Sequence, residues 1–221
     1  MADLKVEIPS IESSFYSNTA ANLNKKKVVD VIRPKYGRII DKISKISNVP
    51  SVLIESFMFI ESGGNEKAET KWAIGLMQVG TSTASDVIVK EKGAGRLSDN
   101  EAEIIKKYLG NGKWKMIESV KPNQKSLGKT FVTRDELLNP EFNILVGAMY
   151  LGQLIDEFTE KGKPRLDKAV VVYNRGRFDS ISKKVIPFKG TTEEIKNIVP
   201  YGTYSYIEKL LGKNSLLEVL I

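Results

Sequence analysis

The sequence predicts a mainly α-helical protein built as one globular domain. Apolar residues recur at three- and four-residue spacing in several segments, as they do on the buried face of a helix. These segments are bounded by residues that start and stop helices, such as proline in a first turn and glycine at an end. The 221 residues suit a single domain, and a domain of this size buries about 70% of its unfolded surface.

The first part of the chain is expected to form an arm followed by two helices. Residues 1–24 are polar without a clear period, so we expect an N-terminal arm there and the folded domain over residues 25–221. A helix is predicted over residues 28–47, and Pro34 is expected to break or restart it. A second helix, over residues 50–61, begins with a proline, which suits a first helical turn.

Capping residues mark the helices in the middle of the chain. Ser98 and Glu101 have the spacing of a capping box, which opens a helix that Gly110 is expected to close. Asn139 is expected to cap another helix, with Pro140 at its first position.

The last two predicted helices end at glycines. Residues 166–174 form a buried helix that ends in Gly176, and residues 204–211 form a helix closed by Gly212. The stretch over residues 113–129 is loop-like.

Glu61 is the strongest candidate for a catalytic side chain. It ends an apolar helical stretch, and Gly63 is the expected left-handed cap behind it. The residues seven, four and three positions earlier are apolar and share its helix face: Ile54, Phe57 and Met58. Desolvation and the negative end of the helix dipole both predict a raised pKa for Glu61. A carboxyl group protonated near neutral pH is a candidate general acid, and the alternative is a helix-end glutamate that turns to solvent.

The composition excludes several kinds of catalytic chemistry. The chain has no cysteine and no histidine, which excludes Ser-His-Asp and Cys-His catalysis as well as histidine metal sites. Bond cleavage by carboxylate, tyrosine, lysine or serine chemistry remains. A glycosidase that uses glutamate is the natural candidate.

The net charge of +7 predicts attraction to polyanions. Two polyanions would attract a chain of this charge: nucleic acid, and the bacterial wall with its anionic polymers. The positive residues are spread along the chain, with one tight run at Lys25-Lys26-Lys27 that is typical of a solvated surface. The sequence shows no helix-turn-helix signature, zinc-finger spacing or aromatic RNA-binding motif, so no nucleic-acid partner is expected.

Three short motifs occur in order along the chain: Phe59-Ile60-Glu61-Ser62-Gly63-Gly64-Asn65, Ala73-Ile74-Gly75-Leu76-Met77-Gln78-Val79 and Val172-Tyr173-Asn174-Arg175-Gly176. They resemble the signature motifs of Slt-type lytic transglycosylases, whose fold is similar to that of goose-type lysozyme. The segment Thr203-Tyr204-Ser205-Tyr206-Ile207 resembles the Thr-x-x-Tyr-Val helix of that family. Residues 139–151 resemble its central helix, so the resemblance covers roughly residues 36–85 and 137–212.

The chain departs from the family pattern at several positions. Val172 stands where the family usually has alanine, Trp72 where it usually has glycine, and Gly202 where it usually has glutamate. The segment from about residue 86 to residue 136 is longer than the loop expected there. It is predicted to be an enlarged central insertion, and the sequence leaves its role open. None of these changes removes the acid, but Trp72 is expected to reshape a sugar subsite.

The resemblance implies a reaction that needs one carboxyl group. In the family, glutamate protonates the glycosidic oxygen between N-acetylmuramic acid and N-acetylglucosamine. The same residue then removes the proton from the muramyl C6 hydroxyl, which closes a 1,6-anhydro ring. Neither a metal nor a cofactor is required. The acids just downstream of Glu61 match no catalytic position of the family: Glu66, Glu69 and Asp86.

The resemblance also implies residues that bind the substrate. Met77 and Gln78 would line the floor of the cleft, where Gln78 holds an acetamido or hydroxyl group of the sugar. Tyr173 and Asn174 would face the cleft from a later helix, although a tyrosine in such a helix is as often part of the core. Ser62 either contacts the substrate and orients the acid or is a small spacer at the helix end.

A tyrosine is expected to assist the acid. Tyr206 would donate a hydrogen bond to Glu61 and so bias its protonation, with Tyr204 as the alternative if the helix register differs. Trp72 and Trp114 either stack on sugar faces or pack in the protein.

Two other functions remain open from the sequence. A goose-type lysozyme would use the same glutamate with water as the nucleophile, and a non-catalytic wall-binding or virion protein would keep only the fold. Peptidoglycan glycan strands are the expected partner. The chain shows neither a membrane span nor a signal pattern. Either the sequence lacks a leader or the protein reaches the wall by another route, such as a phage particle or a secretion machine, and a phage virion or lysis protein is the favoured expectation.

Overall fold

The computed structural model describes Ile11, Ser13 and residues 15–220. It is mainly α-helical, which confirms the predicted fold class. The helices are α1 (Asn18–Lys27), α2 (Arg33–Ser47), α3 (Ser51–Ser62), α4 (Thr81–Gly93), α5 (Asp99–Glu118), α6 (Arg134–Leu137), α7 (Pro140–Glu157), α8 (Leu166–Arg175), α9 (Ser180–Val185), α10 (Tyr201–Leu211) and α11 (Leu216–Leu220). Two short antiparallel strands, β1 (Thr159–Glu160) and β2 (Lys163–Pro164), form a hairpin.

The described residues divide into two compact units. One comprises Ile32–Tyr150, and the other joins the residues up to Val31 with those from Leu151 onward. The division of the chain into an arm over 1–24, a domain over 25–221 and an insertion over about 86–136 stays a prediction. No helix in the described part of the chain is long and apolar enough to cross a membrane.

Helices α3 and α7 supply much of the core of the unit Ile32–Tyr150. Six consecutive residues of α3, from Leu53 to Met58, are buried, as are the residues of α7 from Phe142 to Met149. The predicted start of α7 is confirmed, because the Asn139 side chain accepts hydrogen bonds from two backbone N–H groups of the first turn.

The helix predicted over residues 28–47 is divided as expected near Pro34. A five-residue π-helix, Val28–Ile32, precedes α2, which begins at Arg33. Proline has no N–H with which to continue an α-helical ladder, so the widened turn lies where the regular hydrogen bonding is interrupted.

Helix α1 begins at Asn18, within the stretch over residues 1–24 where the sequence predicts an arm without a clear period. The Ser17 hydroxyl caps this helix by accepting a hydrogen bond from the Ala20 N–H. Ala21 is the one buried residue of α1, so apolar spacing gives little sign of the helix. Residues 1–10, 12 and 14 of the expected arm lie outside the described residues.

The prediction for α5 is confirmed at its start and corrected at its end. Ser98 and Glu101 form the expected capping box. Gly110 leaves the helical conformation, with φ 72° and ψ 170°, but a second helical segment follows it as far as Glu118. The loop expected over residues 113–129 is therefore wrong for its first part, where Trp114 and Ile117 anchor the helix by burial.

Helix α8 is the buried centre of the second unit. Its residues from Leu166 to Tyr173 are all buried, and it packs against α9 and α10. The predicted end is confirmed by Gly176, which has φ 82° and donates its N–H to the Val172 carbonyl. In the same unit, α1 packs against α11.

Candidate active site

Glu61 lies in the last turn of α3, between the core and the surface. The three apolar residues that share its face, Ile54, Phe57 and Met58, are at most 1% exposed, whereas Glu61 itself is half-buried. Gly63 caps the helix in the left-handed conformation, with φ 61°, and donates its N–H to the Phe59 carbonyl. The structure thus places Glu61 on the helix face that carries these buried apolar residues, with the residue itself partly exposed.

Ser62 is engaged by the backbone of the helix end. Its hydroxyl donates to the Met58 carbonyl at 3.1 Å and accepts from the Gly64 N–H at 3.2 Å. These bonds stabilise the turn that follows Glu61. A role of Ser62 in substrate binding stays a prediction.

Three successive backbone hydrogen bonds connect the end of α3 to the second motif, residues 73–79. The Asn65 N–H donates to the Ser62 carbonyl, and the Ala68 N–H donates to the Asn65 carbonyl, both at 3.1 Å. The Gly75 N–H then donates to the Ala68 carbonyl at 2.7 Å. The segment that bears Glu61 and the turn over residues 75–78 are therefore held in one local structure.

Gln78 locks the turn from inside. Its backbone has a positive φ of 46°, and its side-chain amide donates to the carbonyls of Ala68 at 3.0 Å and Gly75 at 2.9 Å. The amide nitrogen therefore serves the turn, so binding of a sugar by Gln78 is left to the rest of its side chain and stays a prediction.

Met77 belongs to the core beneath the turn. Its side chain is fully buried and packs over Gly147, where an added Cβ would come within 2.5 Å of the Met77 Cβ. Met77 thus supports the turn from below with apolar contacts. The prediction that it lines an open cleft receives no support from this burial.

Asn143, on α7, is the residue that the sequence analysis missed as part of the site. It is fully buried, donates to the carbonyls of Ile74 at 2.9 Å and Leu137 at 2.8 Å, and accepts from the Met77 N–H at 2.7 Å. Its signal in the sequence was a polar residue inside the apolar run of α7. Asn143 fixes the second motif to the core.

The acids that follow Glu61 are held in ion pairs. Glu66 accepts a hydrogen bond from the Tyr36 hydroxyl at 2.8 Å and pairs with Lys35 at 3.0 Å. The hydrogen bond from Tyr36, followed by that from Lys35, lowers the pKa of Glu66, so this carboxylate is ionised. Glu69 pairs with Arg134 at 2.7 Å.

The remaining predicted site residues lie in the second unit. Tyr173 and Asn174 are in the last turn of α8, where Tyr173 is buried and Asn174 is exposed. Tyr206 is buried in α10, which packs against α8, whereas Tyr204 is half-buried. Burial, followed by the charge of a nearby glutamate, raises the pKa of Tyr204. Tyr206 is thus the more deeply buried of the two tyrosines, and its contact with Glu61 stays a prediction.

The predicted residues form two groups, one in each unit. Glu61, Ser62, Met77 and Gln78 belong to Ile32–Tyr150, and Tyr173, Asn174 and Tyr206 belong to the other unit. In a comparison with protein families, residues 114–195 match the model described as the transglycosylase SLT domain.

The chain contains a transglycosylase SLT domain. Proteins with this domain are lytic transglycosylases, which are lyases that act on peptidoglycan, and this chain is therefore a peptidoglycan lytic transglycosylase. The SLT match covers α7, Tyr173 and Asn174, but it does not include Glu61, the turn over residues 75–78 or Tyr206. A search of curated proteins gave no match.

Proposed function

We propose that this lytic transglycosylase cleaves the β-1,4 bond between N-acetylmuramic acid and N-acetylglucosamine, with Glu61 as the single general acid and base. The observation that carries the proposal is the position of Glu61. It ends a buried helix, is half-buried itself, and is followed by a hydrogen-bonded segment that leads to the second motif. Partial burial at a helix C-terminus favours the protonated carboxyl group that an acid needs.

The proposed reaction has two steps and consumes no water. Glu61 first gives its proton to the glycosidic oxygen, the bond from that oxygen to muramyl C1 breaks, and the neighbouring acetamido group stabilises the cationic sugar. The ionised Glu61 then takes the proton of the muramyl C6 hydroxyl, and the C6 oxygen bonds to C1. The products are a glycan end with a 1,6-anhydro ring and a second chain with a free hydroxyl, and Glu61 regains its proton.

The state of the neighbouring acids supports a single-carboxylate reaction. Hydrolytic glycosidases generally use two carboxyl groups, about 5–5.5 Å apart when retaining and about 6.5–9.5 Å apart when inverting. Glu66 is engaged by Tyr36 and Lys35, and Glu69 by Arg134. Each of these carboxylates thus has a local ion-pair partner, so its presence near Glu61 does not require a catalytic role.

The other site residues have supporting roles in the proposal. Gln78 and Met77 shape the turn beside the acid, and Ser62 stabilises the helix end. Asn174 is exposed and would bind the glycan, whereas Tyr173 is buried and would support Asn174 from the core. Tyr206 would assist the acid, as the family resemblance implies.

The proposal is tested by mass spectrometry of the soluble fragments released from purified peptidoglycan. The wild-type protein should release fragments that end in 1,6-anhydromuramic acid, lighter by one water than hydrolysis products. Glu61→Gln should keep the fold and lose at least about 10²-fold in rate, because the amide cannot donate and regain the proton.

Glu103→Gln, which changes an exposed glutamate of α5, is the matched control and should cleave like the wild type. Cleavage at the wild-type rate by Glu61→Gln would contradict the assignment of the acid. Reducing-end fragments would instead establish a goose-type lysozyme, and wall binding without fragments a non-catalytic protein. Delivery by a phage particle or a secretion machine stays a prediction.

A further inference from the structure

Trp72 is a large aromatic side chain presented to solvent in the segment that leads into the second motif. It is 76% exposed, whereas the other tryptophan, Trp114, is 9% exposed and donates its indole N–H to Glu118. A tryptophan exposed to this degree leaves most of its apolar surface in water, where a ligand can cover it.

The backbone around Trp72 is ordered by its own hydrogen bonds. The Thr70 hydroxyl accepts from the N–H groups of Trp72 at 3.2 Å and Ala73 at 3.0 Å, and the Thr70 N–H donates to the Ala73 carbonyl at 2.9 Å. A β-bridge between Glu69 and Ile74 closes this turn. The indole is therefore presented on a preformed turn, which reduces the entropy lost on binding.

Gly80 fixes the same turn from its other end. A Cβ at Gly80 would lie 2.8 Å from the Trp72 carbonyl oxygen, so the two backbone segments are in close contact. Glu69, at the start of the turn, is held by Arg134 at 2.7 Å. The turn that bears Trp72 is thus joined directly to the turn over residues 75–78.

Lys71 contributes a positive charge beside the indole. Its Nζ lies 4.6 Å from the centroid of the Trp72 ring, and the side chain is exposed. Cation–π contacts in water are weak, so a ligand that covers the ring or carries a carboxylate would readily displace this ammonium.

We propose that Trp72 and Lys71 form a binding subsite for the glycan strand, in which Trp72 stacks on a pyranose ring and Lys71 pairs with a carboxylate of the attached peptide stem. The inference rests on the proposed function, since it takes peptidoglycan as the ligand. Peptidoglycan offers both components, an apolar sugar face and a nearby anion, on one polymer.

Binding is best measured by co-sedimentation with insoluble peptidoglycan in the Glu61→Gln background, which separates binding from cleavage. Trp72→Ala should weaken binding about three- to tenfold, a range typical of one aromatic contact, and Trp72→Phe should weaken it less. Leu23→Ala, which truncates an apolar side chain that is 63% exposed on α1, is the matched control and should bind like the parent.

Lys71→Gln tests the charge component separately. It should weaken binding to intact peptidoglycan but leave unchanged the binding to chitin, a neutral polymer of N-acetylglucosamine. In a parallel assay, the fluorescence of the exposed Trp72 should shift to shorter wavelength when stem-free strands are added.

The outcomes separate the subsite from the catalytic assignment. Equal binding by Trp72→Ala and the parent, or no binding of glycan by either, would overturn the subsite. Cleavage by Glu61→Gln would remove the proposed acid without contradicting the subsite, and binding would then be compared on chitin. Anhydro products from the wild type together with unchanged binding by Trp72→Ala would keep the proposed function and reject the subsite alone.

Discussion

Asn143 shows how much of the site depends on a single buried side chain. It offers two donors and one acceptor to three backbone groups, and all three partners lie in or beside the segment over residues 74–77 or at the end of α6. Backbone groups buried without a partner are costly, about 1–3 kcal/mol for each group. The amide of Asn143 therefore stabilises the backbone of the second motif.

Gly75 gives a direct test of this contact. In Gly75→Ala, the new Cβ would lie 2.4 Å from the Asn143 side-chain nitrogen and 2.8 Å from the Leu137 carbonyl oxygen, at a residue whose φ is +75°. We expect the free energy of unfolding to fall by about 2–4 kcal/mol from the clash and the left-handed backbone together, measured by chemical denaturation.

Gly95→Ala is the control that measures the cost of the left-handed backbone conformation without a clash. Gly95 has a similar φ of +68° but no heavy atom within 4 Å of an added Cβ. It should lose only about 1–2 kcal/mol, as expected for left-handed alanine without a clash. Equal losses in the two variants would show that Asn143 does not press on the turn.

At the scale of elements, Glu141 joins three helices within the unit Ile32–Tyr150. This residue of α7 accepts from Lys107 and Tyr108 of α5 at 2.7 Å and from Lys42 of α2 at 2.9 Å. These hydrogen bonds outweigh desolvation, which alone would raise the pKa, and bring the pKa of Glu141 from 4.5 to about 2. The cluster therefore fixes the start of α7, the helix that carries Asn143.

The lowered pKa predicts how this cluster responds to acid. A carboxylate whose pKa is lower in the folded than in the unfolded state stabilises the fold fully above about pH 4.5, and this contribution is lost as the pH falls towards 2. Because both lysines are more than half exposed, solvent screening limits the effect to about 1–2 kcal/mol, or roughly 3–6 °C in melting temperature.

Thermal melts of the wild type and Glu141→Gln across this pH range test the cluster. The variant should melt at a lower temperature at pH 6, and the difference should shrink as the pH falls towards 2. Glu103→Gln removes an exposed glutamate of α5 and should show a much smaller difference. A difference for Glu141→Gln that is the same at all pH values would show that lost packing, not lost charge, is the cause.

At the scale of the whole molecule, the net charge of +7 favours association with an anionic polymer. Exposed charges are screened within about 10 Å at 0.1 M salt, so binding to peptidoglycan that carries anionic polymers should weaken several-fold between about 0.05 and 0.5 M salt. Co-sedimentation at the two salt concentrations measures this. Binding to chitin, a neutral polymer of N-acetylglucosamine, is the control and should change little; equal salt dependence on both polymers would contradict a role for the net charge.

The sequence by itself determined the mainly helical fold, the start of α7, the ends of α3 and α8, and the position of Glu61 on the apolar face of α3. These features depend on local signals: helical apolar spacing, capping side chains, and glycines with positive φ at Gly63 and Gly176. Such signals act over one or two helical turns, so they can be seen without knowledge of the rest of the chain.

Only the tertiary structure decided which long-range contacts fix the turn over residues 75–78 and which aromatic residue faces solvent. Asn143 is more than sixty positions from Met77 in the chain, and its place in the apolar run of α7 does not indicate which backbone groups it binds. Likewise, the sequence does not show which tryptophan is buried, because it is the packing of the folded chain that buries Trp114 and leaves Trp72 exposed. Burial and non-local hydrogen bonding arise from chain segments that meet on folding, which is why the sequence alone could not assign them.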